Sequence, residues 1–94
     1  MRKLRGGREC GALIELTLPA NLTIIGHGAF QNCTSLVELV LPANLTTIGD
    51  SAFENCSSLV QLTLPTSITT IGDWAFNSCY SLSPAAREAI RAMH

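Results

Sequence analysis

Residues 33–55 read CTSLVELVLPANLTTIGDSAFEN, and the same frame stands 23 positions earlier and 23 positions later. The flanking units are CGALIELTLPANLTIIGHGAFQN (10–32) and CSSLVQLTLPTSITTIGDWAFNS (56–78). The first two units agree at 15 of 23 positions without a gap, and ten positions are identical in all three. A fixed period of about 20–29 residues that carries LxxLxL is the mark of a leucine-rich-repeat solenoid.

The middle unit has the alternation of a strand that ends in a turn. Within LVELVLP (36–42) leucine alternates with Glu38 and Val40, so an extended strand points the leucines inward and these two residues outward. Pro42 lacks a backbone N–H and is expected to end the strand. Gly49 then frees the backbone to turn before the next unit begins. One unit cannot bury its own leucines, so we expect stacked units whose strands pair in parallel.

Stacking in register also predicts columns of equivalent side chains along the solenoid. Phe53 is expected between Phe30 and Phe76, and the strand leucines are expected to contact those of the neighbouring units. We therefore predict an α/β, β-rich fold, in which residues 10–82 form a leucine-rich-repeat solenoid of about three repeats with a parallel strand ladder.

The two ends of the chain depart from the repeat in different ways. Ser83-Pro84 is a helix-start signal, with serine as the N-cap and proline at the first helical position. The apolar residues after it follow i, i+3, i+4, i+7 spacing; they are Ala86, Ala89, Ile90 and Met93. Residues 83–94 are therefore expected to form a C-terminal capping helix. Residues 1–9 form a basic N-terminal arm, and Gly6 and Gly7 stand where the repeat has Ala-Phe, which predicts a first coil that is open on one side.

The frame CxSLxxLxLPxxLTxIGxxAFxxC resembles the repeat of BspA-type leucine-rich-repeat proteins, which are found widely among bacterial and protist surface proteins. The similarity covers residues 10–82 and rests on the ten positions that recur in every unit. It implies a right-handed solenoid that binds other macromolecules, often at a cell surface, and it implies no catalytic residue. The resemblance thus suggests the cell surface, whereas the sequence itself, which shows no signal peptide, suggests an intracellular or an incomplete chain.

Charge is distributed unevenly, although the net charge is only −1. Residues 10–82 contain acidic side chains and no Lys or Arg, whereas the cations stand at the two ends. The basic arm either binds an acidic partner or is a solvated tail that keeps the chain soluble. The near-neutral net charge produces no overall electrostatic attraction for nucleic acid. No stretch of the sequence approaches the roughly 20 apolar residues of a membrane span.

The cysteines are spaced by the repeat, at Cys10, Cys33, Cys56 and Cys79. Zinc sites usually bring pairs of ligands close in sequence, as in CxxC, and a separation of 23 does not. A solenoid instead places the thiols in a ladder along one edge, where they pack as small hydrophobic side chains. We expect four free, buried cysteines, with a disulfide or a metal site as the alternatives.

Two other polar features have both a chemical and a structural interpretation. His27 occupies the slot of Asp50 and Asp73, and a histidine beside a carboxylate can act as a base or a metal ligand. The slot varies between units, as an exposed position does, so we expect no catalysis there. Four N-x-[ST] sequons stand at Asn21, Asn32, Asn44 and Asn55. They fit either glycosylation or turns, and the repeat favours turns.

The outward side of the strand ladder is the predicted partner-binding surface. Its residues are Glu15, Thr17, Glu38, Val40, Gln61 and Thr63. Trp74 is a further candidate, because a large aromatic side chain at a variable slot can anchor a partner. Its alternative is to fold over the last coil near Tyr80.

The sequence therefore predicts a non-catalytic protein–protein interaction module of the adhesion or scaffold kind, with a protein partner that the sequence does not identify. The alternative is a structural fragment of a longer repeat array, which stacks on another chain or self-associates through its open N-terminal coil. Neither prediction includes an enzyme activity, a cofactor, a metal or nucleic acid.

Overall fold

A computed structural model describes residues 14–93. The described part of the chain consists of short strands followed by one helix, in an order that repeats with the sequence. The strands are β1 (Glu15–Thr17), β2 (Ile24–Ile25), β3 (Glu38–Val40), β4 (Thr47–Ile48), β5 (Gln61–Thr63) and β6 (Thr70–Ile71), and the helix is α1 (Pro84–Ala92). Each repeat thus contributes one three-residue strand and one two-residue strand.

The strands form two parallel ladders, one ordered β1-β3-β5 and the other β2-β4-β6. In the first ladder Leu16 lies opposite Leu39, which lies opposite Leu62. Partners in both ladders are 23 residues apart, so the register of the sheets is the period of the sequence. The predicted solenoid with a parallel ladder is confirmed.

Proline and threonine shape the link between the two strands of each repeat. Pro42 is buried after β3, and its carbonyl accepts a hydrogen bond from the Leu45 N–H at 3.2 Å. This tight turn reverses the chain toward β4, where Ile48 is buried. The Thr46 hydroxyl donates to the Thr23 carbonyl of the preceding coil at 3.1 Å, which adds a side-chain link between coils.

A stack of three phenylalanines runs through the core. The Phe53 ring lies 5.4 Å from Phe30 and 5.5 Å from Phe76, and the ring planes are nearly parallel. Phe53 is fully buried, whereas Phe76 at the end of the stack is only partly buried. Backbone bonds hold the same segments together, because the Phe30 N–H donates to Ala52 and the Phe53 N–H to Ala75, both at 2.8 Å. The predicted phenylalanine column is therefore present.

Helix α1 begins as predicted. The Ser83 hydroxyl accepts from the Ala86 N–H at 3.2 Å, and Pro84 stands in the first turn. The Ser83 N–H donates to the Val60 carbonyl at 3.2 Å, in the place that a further strand would take. Ala86 is buried and Ile90 packs partly against the core, so the helix covers the end of the first ladder.

The opening predicted for the first coil depends on residues that the structure does not describe, so it stays a prediction. The basic arm, Gly6, Gly7, Cys10 and His94 lie outside the described residues. No helix between residues 14 and 93 has the length and apolar character needed to cross a membrane.

Candidate functional site

The exposed side of the first ladder presents two columns of side chains. One column contains Glu15, Glu38 and Gln61, and the other contains Thr17, Val40 and Thr63. All six side chains are exposed, while the central leucines of β3 and β5 between them are buried. The predicted placement of these residues is thus confirmed, and we call this surface the ladder face.

A shallow cleft of about 200 Å³ lies on the ladder face. It is lined by Glu38, Leu39, Val40, Leu41, Gln61, Thr63 and Pro65. Val40 is 46% exposed, which is high for a large aliphatic residue in the middle strand of a sheet. The cleft therefore offers a partner an apolar contact beside polar groups and a carboxylate.

The carboxylates of the ladder face differ from that of Glu54 in their hydrogen bonding. The Glu54 carboxylate accepts from the Gln31 amide at 3.1 Å and from the Asn77 amide at 3.3 Å, so it is committed to linking coils. Among the described residues, the carboxylates of Glu15 and Glu38 have no such partner and face solvent. With no Lys or Arg between residues 14 and 82, these two charges remain uncompensated along the described ladder.

Trp74 stands apart from the ladder face, in the turn segment after β6. It is 66% exposed, and Tyr80 is 73% exposed, so the expectation that Trp74 folds over the last coil near Tyr80 is wrong. Its backbone is left-handed, with φ of 64°, and so are the equivalent positions Gly28 at 62° and Ser51 at 58°. A bulky residue in this region is a conformational outlier, because its Cβ crowds the backbone. Neither burial nor backbone preference explains a tryptophan here.

A second column of left-handed residues explains two of the sequons. Asn32, Asn55 and Ser78 have φ between 63° and 67°. Asparagine tolerates this conformation better than most residues because its short side chain can bond locally. The Asn55 amide also donates to the Asn32 side-chain oxygen at 2.9 Å, which links the two coils. These asparagines therefore have a structural role at the turns.

The cysteine column departs in part from the prediction. Cys56 and Cys79 are free and buried, as expected, and their thiols donate to the carbonyls of Phe30 at 3.4 Å and Phe53 at 3.1 Å. Cys33 is disulfide-bonded, so the expectation of a free thiol is wrong at that position. The Cys79 thiol, together with burial, raises the pKa of Cys56 above its ordinary value. Cys56 is therefore a protonated thiol while the chain is folded around it.

A cleft of about 360 Å³, which the repeat pattern does not predict, lies between the last coil and α1. Its walls include Phe76, Cys79, Tyr80, Arg87 and Ile90. The Arg87 guanidinium donates to the Tyr80 carbonyl at 2.8 Å and to the Leu82 carbonyl at 3.1 Å, so it holds the helix against the coil. The helical spacing of the apolar residues predicts α1, but the Arg87 hydrogen bonds depend on backbone carbonyls that only the folded coil brings into place.

The histidine slot has the exposure that the sequence predicts. His27 is exposed, as are Asp50 and Asp73. The Asp50 carboxylate accepts from the Asp73 N–H at 2.8 Å, which gives it a role in coil stacking. Within residues 14–93, no three His, Cys, Asp or Glu side chains gather as a metal site would require.

Comparison with known protein families shows to which family the chain belongs. The family model described as "BspA type Leucine rich repeat region (6 copies)" matches residues 8–86. The chain belongs to this leucine-rich-repeat family, as its repeat frame predicted. Proteins of this class are generally protein-interaction modules and typically lack catalytic activity.

Two solved structures resemble the chain. A leucine-rich repeat protein from Bacteroides ovatus is 31% identical with a TM-score of 0.72, over 85% of this chain and 22% of its own. The leucine-rich repeat protein of T. pallidum is 28% identical with a TM-score of 0.58, over 99% of this chain and 55% of its own. The chain thus corresponds to a part of each of these longer proteins. No curated protein sequence matches the chain.

Proposed function

We propose that the chain is a non-catalytic adhesion or scaffold module that binds a protein partner through the ladder face. The observation that carries this proposal is the contrast between carboxylates. Glu54 is held by two amides, whereas Glu15 and Glu38 face solvent beside a cleft with an exposed valine. Among the described residues, these two carboxylates and the exposed valine make no contact that the fold requires, so they are available to a partner.

The backbone under this face is already ordered before any partner arrives. Both neighbours of β3 are hydrogen-bonded to it, so its side chains are held at fixed spacing. Binding to a rigid surface loses little conformational entropy, which leaves more of the contact energy for affinity. A partner that offers Lys or Arg opposite Glu15 and Glu38, and an apolar group for the cleft, fits this chemistry.

The first prediction reverses the charge of the ladder face. Glu15→Lys with Glu38→Lys should weaken capture of the partner and leave the melting curve nearly unchanged, because both side chains are exposed and without a partner among the described residues. Exposed charges of this kind mainly alter the association rate and its salt dependence. The measurement is a quantitative pull-down from an extract of the source organism at low and at high salt, with circular dichroism to verify the fold.

Asp73→Lys with Glu88→Lys is the matched control, since it makes the same change in net charge on other surfaces. A partner that is lost with the ladder variant and retained with the control supports the ladder face. Equal recovery with the two variants would mean that net charge, or another surface, governs capture.

Trp74 provides a second candidate contact, and its conformation allows a separate test. Trp74→Gly should be more stable than Trp74→Ala by about 1 kcal/mol, because glycine relieves the left-handed backbone and alanine does not. If Trp74 anchors a partner, both variants should lose capture equally despite their different stabilities. Urea unfolding and the same pull-down measure the two effects. Full capture by both variants would remove Trp74 from the binding surface.

The structural alternative is that the chain stacks on another chain, or self-associates, through an open N-terminal coil. Concentration-dependent assembly in light scattering would favour this alternative, and a monomer at all concentrations would favour the ladder face.

A further inference from the structure

Cys56 and Cys79 occupy the same slot in successive coils and face the same way. Each thiol donates to the carbonyl of a phenylalanine that precedes it by 26 residues. The backbones on either side are held together, because the Asn55 N–H donates to Asn77 at 2.7 Å and the Ser81 hydroxyl to Ser57 at 2.8 Å. The two thiols therefore lie in one column, in neighbouring coils.

We propose that Cys56 and Cys79 form a latent disulfide, a redox modification site that fastens the C-terminal coil to the third repeat. Both cysteines lie in turn segments, and the hydrogen bonds between these segments continue the coil stacking of the ladders, in which neighbouring strands lie about 4.7–4.9 Å apart. That separation falls within the roughly 4.4–6.8 Å that Cα atoms of a disulfide span. The same slot already carries a disulfide-bonded residue at Cys33, and neither Cys56 nor Cys79 is its partner, because both are free.

The cleft beside α1 determines which thiol meets an oxidant first. Cys79 lines this cleft, whereas Cys56 is fully buried and does not. A small-molecule disulfide that enters when α1 opens therefore reacts at Cys79. Burial of the pair explains why the thiols persist in the reduced form until this end of the chain opens.

The reaction is an exchange of thiols for a disulfide, with oxidised glutathione as the oxidant. The Cys79 thiolate attacks one sulfur of glutathione disulfide, which forms a mixed disulfide and releases one glutathione thiolate. While α1 is open, Cys56 is no longer held in the buried environment that keeps it protonated, and it loses its proton to water. The resulting Cys56 thiolate attacks the Cys79 sulfur and releases the second glutathione as a thiolate. The two protons from the cysteines end on the two glutathione thiols, so two cysteines are oxidised and one glutathione disulfide is reduced.

Closure of this bond ties a chain segment that runs from residue 56 to residue 79. Such a crosslink lowers the entropy of the unfolded chain and so favours the folded state. We expect the melting temperature of the oxidised protein to rise on the order of 10 °C for a chain of this size. This inference does not depend on the proposed binding function.

The test is to equilibrate the protein, as purified, with oxidised glutathione and to count free thiols by alkylation and intact mass. Wild type should lose two free thiols without retaining glutathione, and its melting temperature should rise. Cleavage after Glu54 and Asp73 separates Cys56 from both Cys33 and Cys79, so peptide mapping then identifies the bond. A bond to Cys33, retained glutathione on wild type, or two thiols that persist at equilibrium would each overturn the proposal.

Single variants test the order of the reaction. Cys56→Ser should accumulate glutathione on Cys79, because the thiol that completes the exchange is absent. Cys79→Ser should leave Cys56 unmodified in the folded chain, and circular dichroism verifies that both variants fold. Equal modification of the two variants would overturn the assignment of Cys79 as the entry thiol. If a serine variant does not fold, the wild-type thiol count and peptide map decide alone.

Discussion

Phe53→Ala should lower the free energy of unfolding by about 3–5 kcal/mol, the range for truncation of a buried aromatic side chain. Domains of this size are marginally stable, with total stabilities of roughly 5–15 kcal/mol. The substitution is therefore expected to leave much of the chain unfolded at room temperature. Urea unfolding followed by circular dichroism measures the loss.

The size of this effect follows from the position of Phe53 in the stack. The ring contacts Phe30 on one side and Phe76 on the other, so its removal separates the two outer rings and opens a cavity between coils. The surrounding coils are held by backbone hydrogen bonds on both sides of the ring, such as the one from Phe53 to Ala75. They cannot close the gap without breaking those bonds.

Phe76→Ala is the matched control, because it removes the same ring from the end of the same stack. Phe76 has one ring neighbour in the stack and is partly exposed, so its truncation should cost clearly less than that of Phe53. A loss below about 1 kcal/mol for Phe53→Ala would mean that the rings are not packed as a continuous column.

The period of the sequence explains why the register of this fold was predictable. Every partner in the strand ladders is 23 residues away, so aligning the repeats already pairs Glu38 with Gln61 and Leu39 with Leu62. Alternation then assigns the exposed face, because side chains on a strand point to opposite sides. The period alone therefore identifies the partner of every strand, whereas the pairing of strands in most parallel sheets does not follow from a sequence repeat.

The features that the sequence did not predict depend on backbone geometry or on contacts outside the repeat pattern. Glycine at position 28 is consistent with a left-handed backbone in the slot of Trp74, but serine at the equivalent position 51 gives no sequence signal for this conformation. The disulfide at Cys33 breaks the equivalence of the cysteine column, and a periodic pattern treats all its members alike. The binding role of the ladder face likewise remains a proposal, since exposure identifies an available surface and not its partner.

Gly49 illustrates a constraint that comes from the distance between coils. A Cβ atom at this position would lie 2.8 Å from the carbonyl carbon of Gly26 and 2.8 Å from the His27 nitrogen. Both are backbone atoms of the preceding coil, which cannot rotate away as a side chain could. The Gly49 N–H donates to the Ile25 carbonyl at 2.8 Å, so this close approach is part of the ladder itself.

Gly49→Ala should therefore lower the free energy of unfolding by roughly 3 kcal/mol, the upper part of the range for inserting a methyl group into a packed interior. Gly28→Ser is the matched control, because Ser51 already occupies the equivalent slot with the same left-handed backbone. A Cβ at Gly28 would meet only the Gln31 side-chain oxygen, at 3.3 Å, so this change should cost about 1 kcal/mol or less. Urea unfolding of both variants measures the difference. Equal losses would show that the coils shift enough to accept a methyl group at Gly49, whereas a large loss confined to Gly49→Ala would show that the coils stack too closely for any side chain at that point.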